Sequence, residues 1–221
     1  MATTTQKMFR RLLKSLGPQS WWPGESPLEV MVGAILVQNT AWKNVERAIA
    51  NLREAALLDP HQLLEIGNDE LEQLIRPAGY FRIKARRLRS LLEFFVDQYG
   101  ASIEALQAAD MQVLRQQLLE VHGIGPETAD SILLYALDKP ALVVDTYTHR
   151  VFARHGWLDY DTDYHQLQAH VASELPVDAP LYNELHALVV NIGHHYCRKT
   201  PRCEECPLKD MLPKSGIVMP E

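Results

Sequence analysis

Two features of this sequence could carry out chemistry together, a glycine hairpin and a carboxylate that follows it. The hairpin turn is Gly123-Ile124-Gly125, and the carboxylate is Asp145. A Gly-x-Gly turn between helices directs backbone N–H groups outward, where a phosphate can bind. A carboxylate beside a bound nucleic-acid backbone can stabilise positive charge that develops on a sugar. The pair predicts an enzyme that cuts the bond between a DNA base and its deoxyribose.

Each feature also has a purely structural explanation. A Gly-x-Gly turn occurs in ordinary helical hairpins, where Ile124 would pack beneath the turn. An aspartate that follows Val143 and Val144 can serve as a helix N-cap, and this role is compatible with catalysis.

The elements that must position these residues are helical. Apolar residues recur at helical spacing in most segments, beginning with Leu28, Met31, Val32, Ile35 and Leu36. Asn39 or Thr40 is expected to cap the next helix, and Pro126 suits the first turn of the helix that leaves the hairpin. Residues 141–144 form the best strand candidate, and it is short. The pattern therefore predicts an all-α protein.

Composition sets limits on location and partners. The 221 residues are 47% hydrophobic and 23% charged, as in an ordinary globular protein, and no apolar run is long enough to cross a membrane. The N-terminus lacks the apolar core of a signal peptide, so we expect a cytoplasmic, nucleoid-associated protein. The net charge of −6 counts against nucleic-acid binding, but basic residues are clustered in three segments. The charge balance leaves that question open.

Several motifs together resemble the helix-hairpin-helix DNA glycosylase superfamily, which includes endonuclease III. They are the hairpin with its second helix, the Asp145 segment, Gln38-Asn39-Thr40, Gly79-Tyr80-Phe81 with Lys84, and the cysteine-rich C-terminus. The resemblance covers nearly the whole chain in the order found in the family. It implies two helical lobes with a cleft between them. One is a six-helix barrel at residues 25–136; the other is a discontinuous domain of residues 1–24 and 137–221.

The resemblance also implies roles for individual residues. Asp145 corresponds to the catalytic aspartate. The expected DNA contacts are Gln38, Tyr80, Lys84, Gly123, Ile124, Gly125 and Thr128. Family members that also cleave the backbone carry a lysine at the position of Glu127, and a carboxylate cannot form a Schiff base with the sugar. This departure predicts a glycosylase with weak or absent lyase activity.

A second departure from endonuclease III is Tyr147, which takes the place of a histidine. With Gln38 and Trp42, it resembles the bacterial 3-methyladenine glycosylases of the endonuclease III branch. Electron-poor alkylated purines stack well on aromatic rings. We therefore expect Trp22, Trp42 and Tyr147 to contact the flipped base, although tryptophans at such positions are more often part of the core.

The three cysteines, Cys197, Cys203 and Cys206, resemble the loop that holds a [4Fe–4S] cluster in many relatives. The fourth ligand is missing, because Leu212 stands where the last cysteine is expected. A cluster is the first interpretation and an empty loop is the second. A zinc site completed by His194 or His195 is the third.

The sequence thus predicts a monomeric, monofunctional glycosylase that acts on double-stranded DNA containing a damaged base, such as 3-methyladenine. One alternative is an endonuclease III-like glycosylase and lyase for oxidised pyrimidines. Another is a module that binds damaged DNA without catalysis.

Overall fold

The computed structural model describes residues 1–19, 21 and 24–220. Trp22, one of the predicted base contacts, lies outside the described residues. Throughout these ranges the regular structure is helical and there is no strand, which confirms the all-α class. Residues 141–144 are buried, but they form no strand.

The α-helices of the described ranges are α1 Thr4–Leu16, α2 Pro27–Leu36, α3 Trp42–Glu54, α4 Pro60–Glu65, α5 Asn68–Leu74, α6 Phe81–Tyr99, α7 Ile103–Ala108, α8 Met111–Glu120, α9 Pro126–Ser131, α10 Thr146–Arg154, α11 Tyr164–Ser173 and α12 Ala179–His195. A π-helical turn, Ile132–Ala136, continues α9. Short 3-10 turns lie at Arg76–Ala78, Cys203–Glu205 and Lys209–Met211. Among the described helices, none has the length and apolar character needed to cross a lipid bilayer.

The chain divides into two compact units. The central unit spans Trp22–Lys139, and the split unit joins Met1–Trp21 to Pro140–Glu221. The predicted domains, residues 25–136 and the remainder, have borders close to these. The barrel form of the central domain stays a prediction.

Helix α2 forms the core of the central unit. Every residue from Glu29 to Leu36 is buried, and the helix packs against α3, α6, α9 and the π turn. A helix that is apolar on all sides must lie inside the protein. The predicted cap of α3 is wrong, because Ala41 occupies the N-cap position and makes no side-chain hydrogen bond there.

Helix α12 organises the split unit by packing against both α1 and α10. The two segments of the split unit meet where Glu174, after α11, accepts a hydrogen bond from the Thr5 N–H at 2.7 Å. Asp145, Asp163 and Asp178 cap α10, α11 and α12 respectively. Aspartate caps of this kind fix where each helix begins.

Candidate active site and nucleic-acid interface

The hairpin lies between α8 and α9 in the central unit. Gly123 has φ +86°, a left-handed conformation that favours glycine, and a Cβ there would lie 2.2 Å from Cγ of Arg87. Ile124 is only 6% exposed, which confirms that it packs beneath the turn. Gly125 is exposed, and a Cβ there would meet no atom within 4 Å. The outer side of the turn is therefore open to a ligand.

Side-chain hydrogen bonds fix the hairpin to the helices beside it. Nε2 of Gln38 donates to the carbonyl of Gly123 and to Oγ1 of Thr128, both at 3.1 Å. Arg87 in turn donates from Nη1 to Oε1 of Gln38 at 2.6 Å. These residues line a cavity of about 650 Å³ next to the turn, together with Glu127. Sequence reasoning did not connect Arg87 to the hairpin.

Lys84 does not have the predicted role of a DNA contact. It is 2% exposed, and its Nζ donates to the carbonyls of Leu36 and Ala78, each at 2.8 Å. Burial, with a smaller contribution from Arg87, lowers the pKa of Lys84 to about 8. An ammonium held in this way joins the end of α2 to the turn before α6 and is not available to a phosphate.

Tyr80, in contrast, is 68% exposed and precedes α6 in a left-handed conformation, with φ 47° and ψ 30°. This backbone region is unfavourable for a residue with a side chain. An exposed aromatic ring on a strained backbone is the kind of outlier that indicates a functional contact.

Trp42, predicted to stack on the base, opens α3 and packs against α2. Its Cη2 atom lies 3.3 Å from the position that a Cβ on Gly33 would occupy. The side chain is half-buried, so part of its surface remains accessible.

In the split unit, Asp145 is the N-cap of α10. Its Oδ1 accepts hydrogen bonds from the Thr148 N–H at 2.7 Å and the Thr148 hydroxyl at 2.8 Å, and a capping box results. The side chain is 10% exposed. The structural explanation offered by the sequence is therefore correct. The helix cap uses only one of the two carboxylate oxygens, Oδ1.

The second oxygen, Oδ2, lies 3.6 Å from Nε2 of His186, a buried residue of α12. Burial by itself raises the pKa of Asp145. The imidazole of His186 beside Oδ2, together with the two Thr148 hydrogen bonds, outweighs burial, so the pKa of this carboxyl lies below its ordinary value. Asp145 is thus a buried anion at neutral pH. Sequence reasoning missed His186, and its only signal was a polar residue within an apolar helix.

Tyr147 lies in the first turn of α10 and packs on Gly193 of α12. A Cβ at Gly193 would lie 2.2 Å from the tyrosine ring, so a glycine is needed for this contact. The guanidinium of Arg150 lies 5.0 Å from the ring centroid, and the Tyr147 hydroxyl is 3.2 Å from Nε2 of His194. A cation over the ring and a histidine at its hydroxyl fix the orientation of Tyr147.

The three cysteines line one small cavity of about 20 Å³, together with Arg154 and Leu212. Nη1 of the buried Arg154 lies 3.4 Å from Sγ of Cys197. Burial raises the pKa of the Cys203 and Cys206 thiols, which disfavours the thiolates that bind metals.

These residues do not fit the four-cysteine [4Fe–4S] site of relatives, because Leu212 occupies the place of the fourth cysteine. Within the described part of the chain, no group of three or more His, Cys, Asp or Glu residues is arranged to hold a metal ion. His194 is engaged with Tyr147, and His195 is exposed at the end of α12. Three thiols without a fourth ligand are an incomplete set for either metal.

Comparison with known proteins agrees with this geometry. The family model described as "HhH-GPD superfamily base excision DNA repair protein" matches residues 32–176. The chain therefore belongs to this superfamily, a family of base excision DNA glycosylases.

Individual relatives cover most of the chain. It is 46% identical over 205 residues to "Putative DNA repair glycosylase MJ1434" of Methanocaldococcus jannaschii, with 92% of this chain and 93% of that protein covered. It is 32% identical over 186 residues to endonuclease III of Thermotoga maritima, with coverage of 83% and 81%. A solved structure of H. pylori 3-methyladenine DNA glycosylase bound to 1,N6-ethenoadenine matches with a TM-score of 0.75 and 28% identity, and covers 86% of this chain and 97% of that one. The predicted resemblance is confirmed.

Proposed function

We propose that this protein is a monofunctional DNA N-glycosylase that releases alkylated purines from double-stranded DNA, with Asp145 as the catalytic residue. The observation that carries the proposal is the state of Asp145. This carboxylate is buried and ionised, and one of its oxygens is not used by the helix cap.

The proposed reaction is hydrolysis of the bond between the base and C1′. The bond breaks as its electron pair leaves with the base, and the sugar becomes oxocarbenium-like. The Asp145 anion stabilises that charge and accepts a proton from the water that adds to C1′. A methylated purine is a good leaving group because it already carries positive charge. Little further catalysis is then needed at the base.

The substrate class rests on the aromatic residues and on one relative. Tyr147 has a ring held in a fixed orientation, and Trp42 keeps an accessible surface. A flat cationic base would gain from stacking on either. The 28% identical solved structure is that of a 3-methyladenine glycosylase. The predicted contacts of both residues with the base remain part of this proposal.

We assign DNA binding to the hairpin and to Tyr80. The open side of Gly125 lets backbone N–H groups approach a phosphate, and Gln38 keeps the turn in shape. The exposed Tyr80 ring is suited to contact bases when the target base leaves the duplex, which costs a few kcal/mol of pairing and stacking. We expect the protein to act as a monomer.

A panel of duplexes tests this proposal. Methylated DNA, 1,N6-ethenoadenine, thymine glycol and undamaged DNA are incubated with the wild type and Asp145→Asn, and the free base is measured. The wild type is expected to release methylated purines, and the variant to be slower by about 10²–10⁴-fold. Release of thymine glycol alone would favour the endonuclease III-like alternative, and binding without release would favour the non-catalytic one.

The absence of lyase activity rests on Glu127. This residue is exposed on α9 and lines the hairpin cavity, at the place of the family's Schiff-base lysine. Borohydride should trap little of the wild type on abasic DNA, whereas Glu127→Lys should gain trapping. Efficient trapping of the wild type would refute the monofunctional assignment, and Glu127→Gln serves as the uncharged control.

A further inference from the structure

His186 is a buried histidine that faces the oxygen of Asp145 left free by the helix cap. Nε2 of His186 and Oδ2 of Asp145 are 3.6 Å apart, and the two side chains are 8% and 10% exposed. Oδ1 already accepts two hydrogen bonds from Thr148. The contact with His186 therefore concerns the oxygen that is available to the reaction.

Other charged groups on the elements packed against this pair are directed elsewhere. On α10, Arg150 and Arg154 donate to carbonyls of the segment after α12, each at 2.6 Å. On α12, Glu184 accepts from the backbone N–H of Gln19. The basic residues of α1 line a groove with Met211. Among the described residues, His186 is the basic side chain that lies within 4 Å of the Asp145 carboxylate.

An aromatic ring supports the imidazole. The rings of His186 and Trp21 have centroids 5.3 Å apart and are tilted by 52°. The indole packs against the imidazole and limits the movement of the histidine.

We propose that His186 is a positioning residue for base release, whose imidazole beside Oδ2 orients the Asp145 carboxylate. This inference rests on the proposed function. A carboxylate buried without a compensating charge takes up a proton. A protonated Asp145 can neither stabilise a cationic sugar nor accept a proton from water. His186 therefore extends the pH range over which the enzyme works toward acid.

The test compares His186→Gln and His186→Leu with the wild type on methylated duplex DNA. Single-turnover base release is followed from about pH 5 to pH 9, and binding is measured with a duplex that contains a tetrahydrofuran abasic analogue. His195→Gln is the matched control, because this histidine is exposed on the same helix. Unfolding temperatures are measured for each variant, and glutamine keeps the size and a hydrogen-bond donor.

In His186→Gln, release at neutral pH is expected to slow by about tenfold, and the acid limb of the rate profile to move up by about one pH unit. Binding of the abasic duplex and the behaviour of His195→Gln should match the wild type. Because His186 acts through Asp145, adding His186→Gln to Asp145→Asn should cause no further loss.

An unchanged acid limb in a folded His186→Gln, or a further loss in the double variant, overturns the inference. Different results would contradict the proposed function and the inference about His186. If the wild type releases no base from any duplex, the proposed function fails. If the wild type is active and His186→Gln matches it at every pH, only the inference about His186 fails.

Discussion

The two oxygens of Asp145 have separate duties. Oδ1 holds the first turn of α10 through Thr148, while Oδ2 faces His186 and is available to a substrate. Under the proposed function, folding and chemistry therefore depend on different atoms of one side chain. Suitable substitutions should separate the two.

Asp145→Asn and Asp145→Ala should differ in stability but not in activity. Asparagine caps helices about as well as aspartate, whereas alanine loses about 1 kcal/mol at an N-cap. Both variants should lose base release, and only Asp145→Ala should unfold at a clearly lower urea concentration. Equal destabilisation by the two changes would show that the charge, and not the cap, stabilises this site.

Tyr80 differs from Asp145, because its backbone is strained and its side chain is exposed. Tyr80→Gly should stabilise the protein by about 0.5–1 kcal/mol because glycine accepts positive φ. Affinity for duplex DNA should fall by about tenfold, or ~1.4 kcal/mol. Both quantities can be measured by urea unfolding and fluorescence anisotropy.

Ala101→Gly is the matched control for Tyr80→Gly, because Ala101 also has a positive φ, of 57°. It should gain similar stability and keep its affinity for DNA. If Tyr80→Gly also bound DNA normally, Tyr80 would have no role in recognition.

At the scale of elements, the contact of α10 with α12 positions Asp145 and the side chains beside it. Asp145 starts one helix, His186 lies on the other, and the ring of Tyr147 against Gly193 sets the distance between them. The packing of two helices thus determines the geometry of one carboxylate.

Gly193→Ala should force these helices apart. The added methyl group would lie 2.2 Å from the Tyr147 ring, and overpacking of this kind destabilises by about 1–3 kcal/mol. The combination with Tyr147→Ala makes room for the methyl group, so the double variant should lose less stability than the two single changes add up to. Strict additivity in thermal unfolding would contradict the contact.

Much of this arrangement could be predicted from the sequence. Periodicity gave the helices, and the residues around Gly123 gave the hairpin, because both depend on local preferences. Lys84 was misassigned because the resemblance that suggested its role carries no information on burial, and the fold supplies two carbonyls to a buried ammonium. His186 was missed because its meaning depends on Asp145, 41 positions earlier in the chain, and only tertiary structure brings the two together.

At the scale of the whole molecule, the C-terminal loop is held by protein contacts. Arg154 reaches Sγ of Cys197 and the carbonyl of Arg198, and thus joins α10 to the cysteine segment. A buried guanidinium that binds several acceptors can hold such a loop in place. The stability of the protein should then be independent of metal.

The purified protein should be colourless, and a chelator should leave its unfolding temperature unchanged. The reason is that three cysteines, with Leu212 in the fourth place, do not complete a ligand set. Absorption spectra and metal analysis of freshly prepared protein check this expectation. Stoichiometric iron or zinc would contradict it, and Cys203→Ser would then show whether the loop binds the metal.

The double duty of Asp145 bears on how this protein can diverge. A descendant freed from repair could exchange the acid for asparagine in a single step and still fold, since the cap on α10 would survive. In a related protein, the presence of both Asp145 and the buried His186 is therefore a better indicator of enzymatic activity than the presence of Asp145 alone. Selection for repair should preserve Asp145 and His186 together.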